Sequence, residues 1–408
     1  MRPLLDQTLA RLKTNAETQL AEAFAASVGT SSETPRVRAF AQFEKTGLPT
    51  KRLESWHYTD MRAAMREAWP AATASANAPA GEAADGVSRG AMSAILDDPD
   101  SPLLAKLCPE TGADDPMVAL NTAMARDGFV LRVEPGANIG KPLVQAFGAG
   151  EPGPRAEFSR HLVLVGEDAS LALLEHHSSG DRVQRNNVLV VNVAAGARVE
   201  HVFIAENHAA DSHVATLIVE LGAGASFTST AVVADGRFLR RQIFARLNGE
   251  NAKIALRGVS LLKGKQHVDT TLVVDHAVPR GESRELFKHI VTGEATGVFQ
   301  GKALVRPHAQ KTDGGMKSQA LLLSEDAAMY NKPELEIFAD DVVCGHGATI
   351  GQIDDDQLFY LMSRGIPRQE AESLLIEAFA REPIDLIENG ELRARCEATL
   401  ASWLEARA

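Results

Sequence analysis

"GEDASLALLEH", residues 166–176, runs through a turn, a small residue and a polar residue into an alternating strand. The same grammar returns in "AAGARVEHVFI" (194–204), "GAGASFTSTAV" (222–232) and "NGENAKIALRG" (248–258). The four copies align on Ala169, Ala197, Ala225 and Ala252, at steps of 28, 28 and 27 residues. Leu171, Val199, Phe227 and Ile254 open the strand that follows each alanine. A fixed period in this range, built of strands and turns alone, reads as a solenoid, and here as a parallel β-helix. The alanine is expected at a tight corner, with the next apolar residue pointing into the stack. A β-sandwich would repeat its strands less evenly.

Outward from this core the chain changes character. Residues 1–70 read as an N-terminal helical region, and "TGLPTKRLESWHYTDMRAAMREAW" (46–69) as a Pro-containing turn followed by a helix. Residues 71–100 read as a flexible Ala-rich linker. The β-helix is assigned to 101–350 and a C-terminal helical segment to 351–408. Asp354, Asp355 and Asp356 suit a helix N-terminus, Gly365 stops that helix and Pro367 opens the next. The stretch 354–408 carries 12 acids against 6 arginines and no lysine, half of the chain's net charge of −12. Its apolar residues Leu358, Phe359, Leu361, Met362, Leu374, Leu375 and Phe379 either cap the solenoid end or face a partner.

Composition excludes several classes of function. A net charge of −12 over 408 residues speaks against nucleic-acid binding and against a polybasic membrane anchor. No apolar run approaches the ~20 residues of a membrane span, and the N-terminus lacks the apolar core of a signal peptide. Three scattered cysteines (Cys108, Cys344, Cys396) encode neither a disulfide framework nor a zinc motif, which fits a reducing, cytoplasmic setting. Gly148, Gly150 and Gly153 satisfy G-x-G-x-x-G, but Pro152 and Pro154 intrude and no helix follows to cradle a phosphate. "GANIGKPL" and "GVFQGKAL" have the wrong spacing for a P-loop, so the chain is not expected to hydrolyse nucleotide by itself.

Two groups of residues are candidates for chemistry. His176, His177, His201, His208 and His213, and His267 with Asp269 and His276, read either as metal or acid–base sites or as satisfied polar ladders, the ladder being the simpler reading. The second group lies in "EIFADDVVCGHGATIG" (336–351). Read as one strand, its first part "EIFADDVVCGH" (336–346) places Phe338, Asp340, Val342, Cys344 and His346 on a single face, with the Cα atoms of Cys344 and His346 about 6.7 Å apart. Thiol and imidazole at that spacing can converge on one metal, and Gly345 and Gly347 leave room for a bulky group or a second chain. Two ligands do not close a site, and from spacing alone an inert core thiol remains the simpler reading.

"KPELEIFADDVVCGHGATIGQIDDDQLFYLMSRGIPRQEAESLLIEAFA" (332–380) resembles the C-terminal signature of the SufB/SufD family of iron–sulfur cluster assembly proteins. Its D-D-V-x-C-x-H-G-A-T run looks like the SufD branch of that family and unlike the SufB branch, which typically has H-E-A there. "HVDTTLVVDHAVPRGESRELFKHIVTGEATGVFQGKALV" (267–305), "LLLSEDAAMYNKPELEI" (321–337) and "GLPTKRLESWHYTD" (47–60) extend the likeness. The resemblance implies a right-handed parallel β-helix between helical ends, and a non-catalytic scaffold subunit that pairs with SufB and binds the ATPase SufC. It places His346 and Cys344 at the SufB junction, opposite a Cys and a Glu of that partner, with the His more closely tied to cluster formation. SufC docking falls to the C-terminal helices, with Leu358, Phe359, Tyr360, Leu361, Arg364 and Gly365 as candidates. The cargo is an iron–sulfur cluster or its iron and sulfide precursors, held transiently and shared with SufB. No tightly bound cofactor is expected on the isolated chain, which is also open to homodimer formation. A carbohydrate-active β-helix enzyme or a purely structural solenoid are the alternatives.

Overall fold

The corner residues explain the coil. In the computed structural model, which describes residues 12–27, 34–72, 85–147, 153–179, 182–208, 212–234 and 236–407, the residue before each repeat alanine is left-handed: Asp168 at φ 55°, Gly196 at 68°, Gly224 at 64° and Asn251 at 59°. Gly, Asn and Asp are the residue types that tolerate this conformation. Each alanine N–H then donates to the carbonyl three residues back, at 3.2–3.3 Å. All four alanines are buried, so a larger side chain has no space there.

The strands between corners form two parallel sheets. The first contains β1 (Val87–Ala91), β2 (Phe129–Val133), β4 (Arg155–Val165), β6 (Val183–Val193), β8 (Ser212–Leu221), β10 (Phe238–Leu247), β12 (His267–His276), β14 (Thr296–Val305) and β16 (Ala328–Ile337) in that order. The second runs β3 (Asn138–Phe147), β5 (Ser170–Ser179), β7 (Arg198–His208), β9 (Ser226–Val233), β11 (Lys253–Leu262), β13 (Glu282–Val291), β15 (Asp313–Leu322) and β17 (Val343–Gly351). Every second strand in sequence is a spatial neighbour, which is a parallel β-solenoid of about 7 turns. Among the described residues only β1 pairs antiparallel, with β2. Beyond the four recognised repeats the step lengthens to 29, 31 and 30 residues, from Lys253 to Glu282, Asp313 and Val343. The added residues sit in the corners, so the strands stay in register.

Inside the rod, Leu171, Val199, Phe227 and Ile254 stack in one core cluster with Val191, Val219 and Leu256. A polar layer lies beside it. Glu175 accepts from Nε2 of His177 (2.9 Å) and from the Asn187 amide (2.9 Å), and lies 3.4 Å from Nε2 of His201. His213 bonds Asn187 at 2.6 Å, and Ser229 joins His201 to Arg241. Burial opposes charge on Glu175, but the hydrogen bonds from His177 and His201 outweigh it and hold the carboxyl below its usual range. Burial pushes the His161 and His177 imidazoles down to about 4. This is the polar-ladder outcome for His177, His201 and His213. His176 points outward to Glu206 at 3.0 Å, and the side chain of His208 lies outside the described residues.

Helices cover both outer faces. α1 (Asn15–Ser27), α2 (Pro35–Thr46), α3 (Met61–Ala64), α4 (Ser93–Leu96), α5 (Leu104–Leu107) and α6 (Pro116–Met124) pack on the first sheet. The helix expected after Trp56 is a single turn. Side chains capture the later backbone N–H groups, Gln19 that of Ala68 (2.8 Å) and Gln184 that of Trp69 (3.0 Å), so no helix is needed to satisfy them. Residues 73–84 of the Ala-rich stretch lie outside the described residues. β1 and α4 follow them, and α5 and α6 precede the first full turn. α7 (Asp355–Ser363) packs on α8 (Arg368–Ile384), and α8 and α9 (Gly390–Glu405) lie on the second sheet. Ile376, Ala380, Ile384, Leu392, Cys396 and Trp403 bury their faces against Val202, Val232 and Leu261. These helices flank the rod and do not cap its end. Asn389 caps α9, and Glu200 of β7 accepts the Glu388 and Asn389 N–H groups at 2.7 and 2.8 Å.

Candidate functional site

The rod ends at β16 and β17, and each has a neighbour on one side only among the described residues. The reading of 336–346 as one strand is overturned. β16 stops at Ile337, the chain turns a corner through 338–342, and β17 begins at Val343. Cys344 and His346 nevertheless share a face, because they stand two residues apart within β17. Register places Cys344 over Gly314 and His346 over Met316, a core residue, so both continue the inward-facing rows of the rod. With no further turn above them, the inner face of β17 is open: His346 is exposed and Cys344 half-buried.

Gly314 shapes the thiol's seat. A Cβ there would lie 3.4 Å from the Cys344 Sγ and 3.5 Å from the Ser283 Oγ, so the glycine lets the thiol rest close over the serine below. Burial raises the Cys344 pKa and the charges of Asp313 and Glu285 add to this, against a backbone hydrogen bond at Gly314. The thiol is therefore neutral in the free chain, and a thiolate there requires a metal or cation beside it. Cys396 is a different case, buried under α9 with its thiol pushed up to about 12.

No group of three or more His, Cys, Asp or Glu able to hold a metal occurs among the described residues. Cys344 and His346 offer one thiol and one imidazole on the same strand face, two donors short of the four that usually close a metal or cluster site. Around them stand exposed Tyr330, Ile337, Phe338, Val343 and Ile350, the last at 48% and Val343 at 73% exposure. An unpaired, apolar strand edge of this kind is a template for strand addition by another chain.

The other histidine group separates. His267 and Asp269 face outward from β12, where His267 Nε2 lies 3.0 Å from the Thr59 Oγ1 and Asp269 pairs with Arg240. His276 faces the interior, fully buried, its pKa pushed down to about 4 by burial. The Gly148/Gly150 pair of the excluded nucleotide fingerprint lies outside the described residues. On α7, Leu358 is buried, whereas Phe359 and Tyr360 are exposed, and Arg364 lies over the Tyr360 ring at 5.0 Å. Arg364 and Gly365 complete an exposed helix end.

Two family descriptions match the chain: the SufBD core domain of SUF-system iron–sulfur cluster assembly over residues 147–379, and the SufBD N-terminal region over 7–85. The chain belongs to the SufBD family. It is 29% identical to the iron–sulfur cluster assembly protein SufD of Escherichia coli, over 92% of this chain and 94% of that one. It is 31% identical to the chloroplastic protein ABCI7 of Arabidopsis thaliana (67% and 60% covered) and 31% identical to a SufBD family protein of Synechocystis (70% and 66%). Iron–sulfur cluster assembly is thus the process in which this family takes part. No helix among the described residues is long and apolar enough to cross a membrane.

Within this SufBD chain the open end has a floor that motif reading missed. Counting one period back from Cys344 and His346 reaches Gly314 and Met316, and a second reaches Ser283 and Glu285. Glu285 is fully buried, and burial raises its carboxyl to about 8, with Ser283 and Arg284 opposing. A carboxyl raised in the folded state binds its proton where the unfolded chain has released it. Its stabilising contribution is therefore lost as pH rises from about 4.5 to 8. Glu285→Gln is expected to be more stable than the parent by a few kcal/mol near pH 8, with the gap closing near pH 4. Urea unfolding across that range measures it, and a pH-independent gap would place the effect in packing instead.

Proposed function

We propose that this chain is the SufD-like, non-catalytic subunit of a SUF assembly complex in the cytoplasm. It pairs with a SufB-type paralogue end to end through β16 and β17, and binds the SufC ATPase through α7 and the acidic C-terminal helices. ATP hydrolysis belongs to that ATPase. The observation that carries the reading is the placement of Cys344 and His346 on the inward row of the last strand, open where a docked chain would sit. Their partial ligand set fits a site completed by residues of the paralogue. The isolated chain, presenting the same edge to a second copy, pairs as a homodimer by the same geometry.

The proposed sequence of events uses this chain's own groups. ATP-driven closure of SufC pulls on α7, which is joined to β17 by only three residues, 352–354. That motion opens the junction. His346, in its neutral form, then accepts a proton or ligates nascent iron, and Cys344 supports it once its proton has left. Phe359 and Tyr360, exposed on α7, are the anchors offered to the ATPase.

Co-expression with a SufB-type paralogue and a SufC ATPase tests the reading. The three chains are expected to co-purify. Val343→Lys with Ile350→Lys, which puts charge on the exposed edge, is expected to release the paralogue and leave the ATPase bound. Phe359→Asp is expected to do the reverse. Retention of both partners in all variants would remove β17 and α7 from the contacts. A polysaccharide-cleaving activity in the chain alone would favour the carbohydrate-enzyme alternative.

A further inference from the structure

A cavity of about 480 Å³ opens at the opposite end of the fold from β17, between α2, α5, α6 and β4. Its walls are largely apolar, with Ala39, Val118 and Ala119 among them, and Cys108 and Arg160 line it too. Arg160 is 1% exposed. Its Nε donates to the Leu107 carbonyl at 2.9 Å and its Nη1 to the Asn121 side-chain oxygen at 3.3 Å, both neutral acceptors. Two other covered arginines are neutralised in place, Arg185 by Glu157 at 2.7 Å and Arg240 by Asp269, whereas buried Arg241 donates to the Ser229 hydroxyl with Glu175 in its neighbourhood. For Arg160 no ion pair with a carboxylate occurs among the described residues. A guanidinium keeps its charge at any accessible pH, and a buried charge is costly unless it is paired. Exposed Arg38 adds a second cation at the mouth.

Two arginines against one acid, Asp114, in a largely apolar lining, with the buried guanidinium lacking a carboxylate partner, are the outline of a site for a ligand with a greasy body and a negative head. We propose that this cavity binds a small amphipathic monocarboxylate, its chain against Ala39, Val118 and Ala119 and its carboxylate on the Arg160 guanidinium. Cys108 is itself a side-chain hydrogen-bond partner of Arg160 in that wall, so a carboxylate arriving on the guanidinium is reported by the thiol. The proposal is independent of the assembly function, since α2, α6 and β4 lie at the first turns of the rod and the junction lies at the last.

The test uses the full chain with hexanoate as the probe and hexan-1-ol as the uncharged control. Alkylation of Cys108 by N-ethylmaleimide is followed by peptide mass spectrometry, with Cys344 in the same molecule as the internal reference. Hexanoate is expected to slow labelling of Cys108 saturably and leave Cys344 unchanged. Hexanol should need about tenfold more for the same protection, the loss that follows from removing a charge-assisted hydrogen bond. Arg160→Gln should abolish the preference for the acid. Because Arg160 also holds Leu107 and Asn121, Ala39→Phe serves as a second variant: it fills the chamber from a half-buried position and should remove protection by both probes. Equal slowing at Cys108 and Cys344, no saturation, equal potency of the alcohol, or undiminished protection in Ala39→Phe would each overturn the proposal.

Discussion

His346→Ala is expected to leave the assembled complex intact and to abolish its loading with an iron–sulfur cluster. The side chain is exposed on the open inner face of β17 and makes no packing contribution to the core clusters, so its removal costs the chain little stability. Its loss takes one donor from the proposed site, to which this chain would give two. Changing a group that merely orients a ligand already costs 10–100-fold in metal affinity, so loss of the ligand itself should cost at least about tenfold. Anaerobic reconstitution of the co-expressed complex with iron and sulfide, read by visible absorption, measures the effect. Cys344→Ser should give a smaller loss, because that thiol starts neutral and half-buried. Full loading of the His346 variant would remove the imidazole from the chemistry. The chain alone is a poor test object, since half the donor set is proposed to come from the partner.

Asp269→Ala should cost about 3–5 kcal/mol of unfolding free energy, the penalty for stranding a buried charge. Asp269 and Arg240 are both fully buried on the outer face of the first sheet. The carboxylate accepts from Arg240, from the Thr59 hydroxyl and from the Thr271 hydroxyl at 2.8 Å. Arg240 in turn donates to the Ser55 carbonyl at 2.6 Å and lies over the Trp56 ring, 3.8 Å from its centroid. The pair therefore clamps residues 55–59 across β10 and β12, while Tyr58 stacks on Tyr330 and Glu54 reaches Lys332 of the last turn. Without Asp269, residues 50–65 should become the first site of limited proteolysis, alongside a lower urea midpoint. Arg240→Met combined with Asp269→Leu should recover most of the loss, because two apolar groups leave no charge behind. A loss under about 1 kcal/mol in the single variant would show that the clamp is not what holds the segment.

The corner grammar was legible from residues alone because it is local. Asp168, Gly196, Gly224 and Asn251 tolerate a left-handed turn, Ala169 and its equivalents fit beneath it, and alternation then dictates which residues face inward. The first two C-terminal helices were equally readable from Asp354, Gly365 and Pro367. Beyond Ala252 the period stretched, and with it went the signal that would have tied Cys344 to Gly314, Ser283 and, in the neighbouring row, Glu285.

Sequence by itself therefore determined a strand-and-corner coil with helical ends, and put Cys344 and His346 on one strand face. Only the tertiary structure decided that this face is the open end of the rod, that the C-terminal helices flank it without capping it, and that His276 turns inward while His267 and Asp269 turn outward to receive Thr59. The reason is that torsion preferences and side-chain alternation act over a few residues. Which strand comes last, and what covers its edge, is settled by packing between segments up to some two hundred residues apart, as in the Thr59–Asp269 bond.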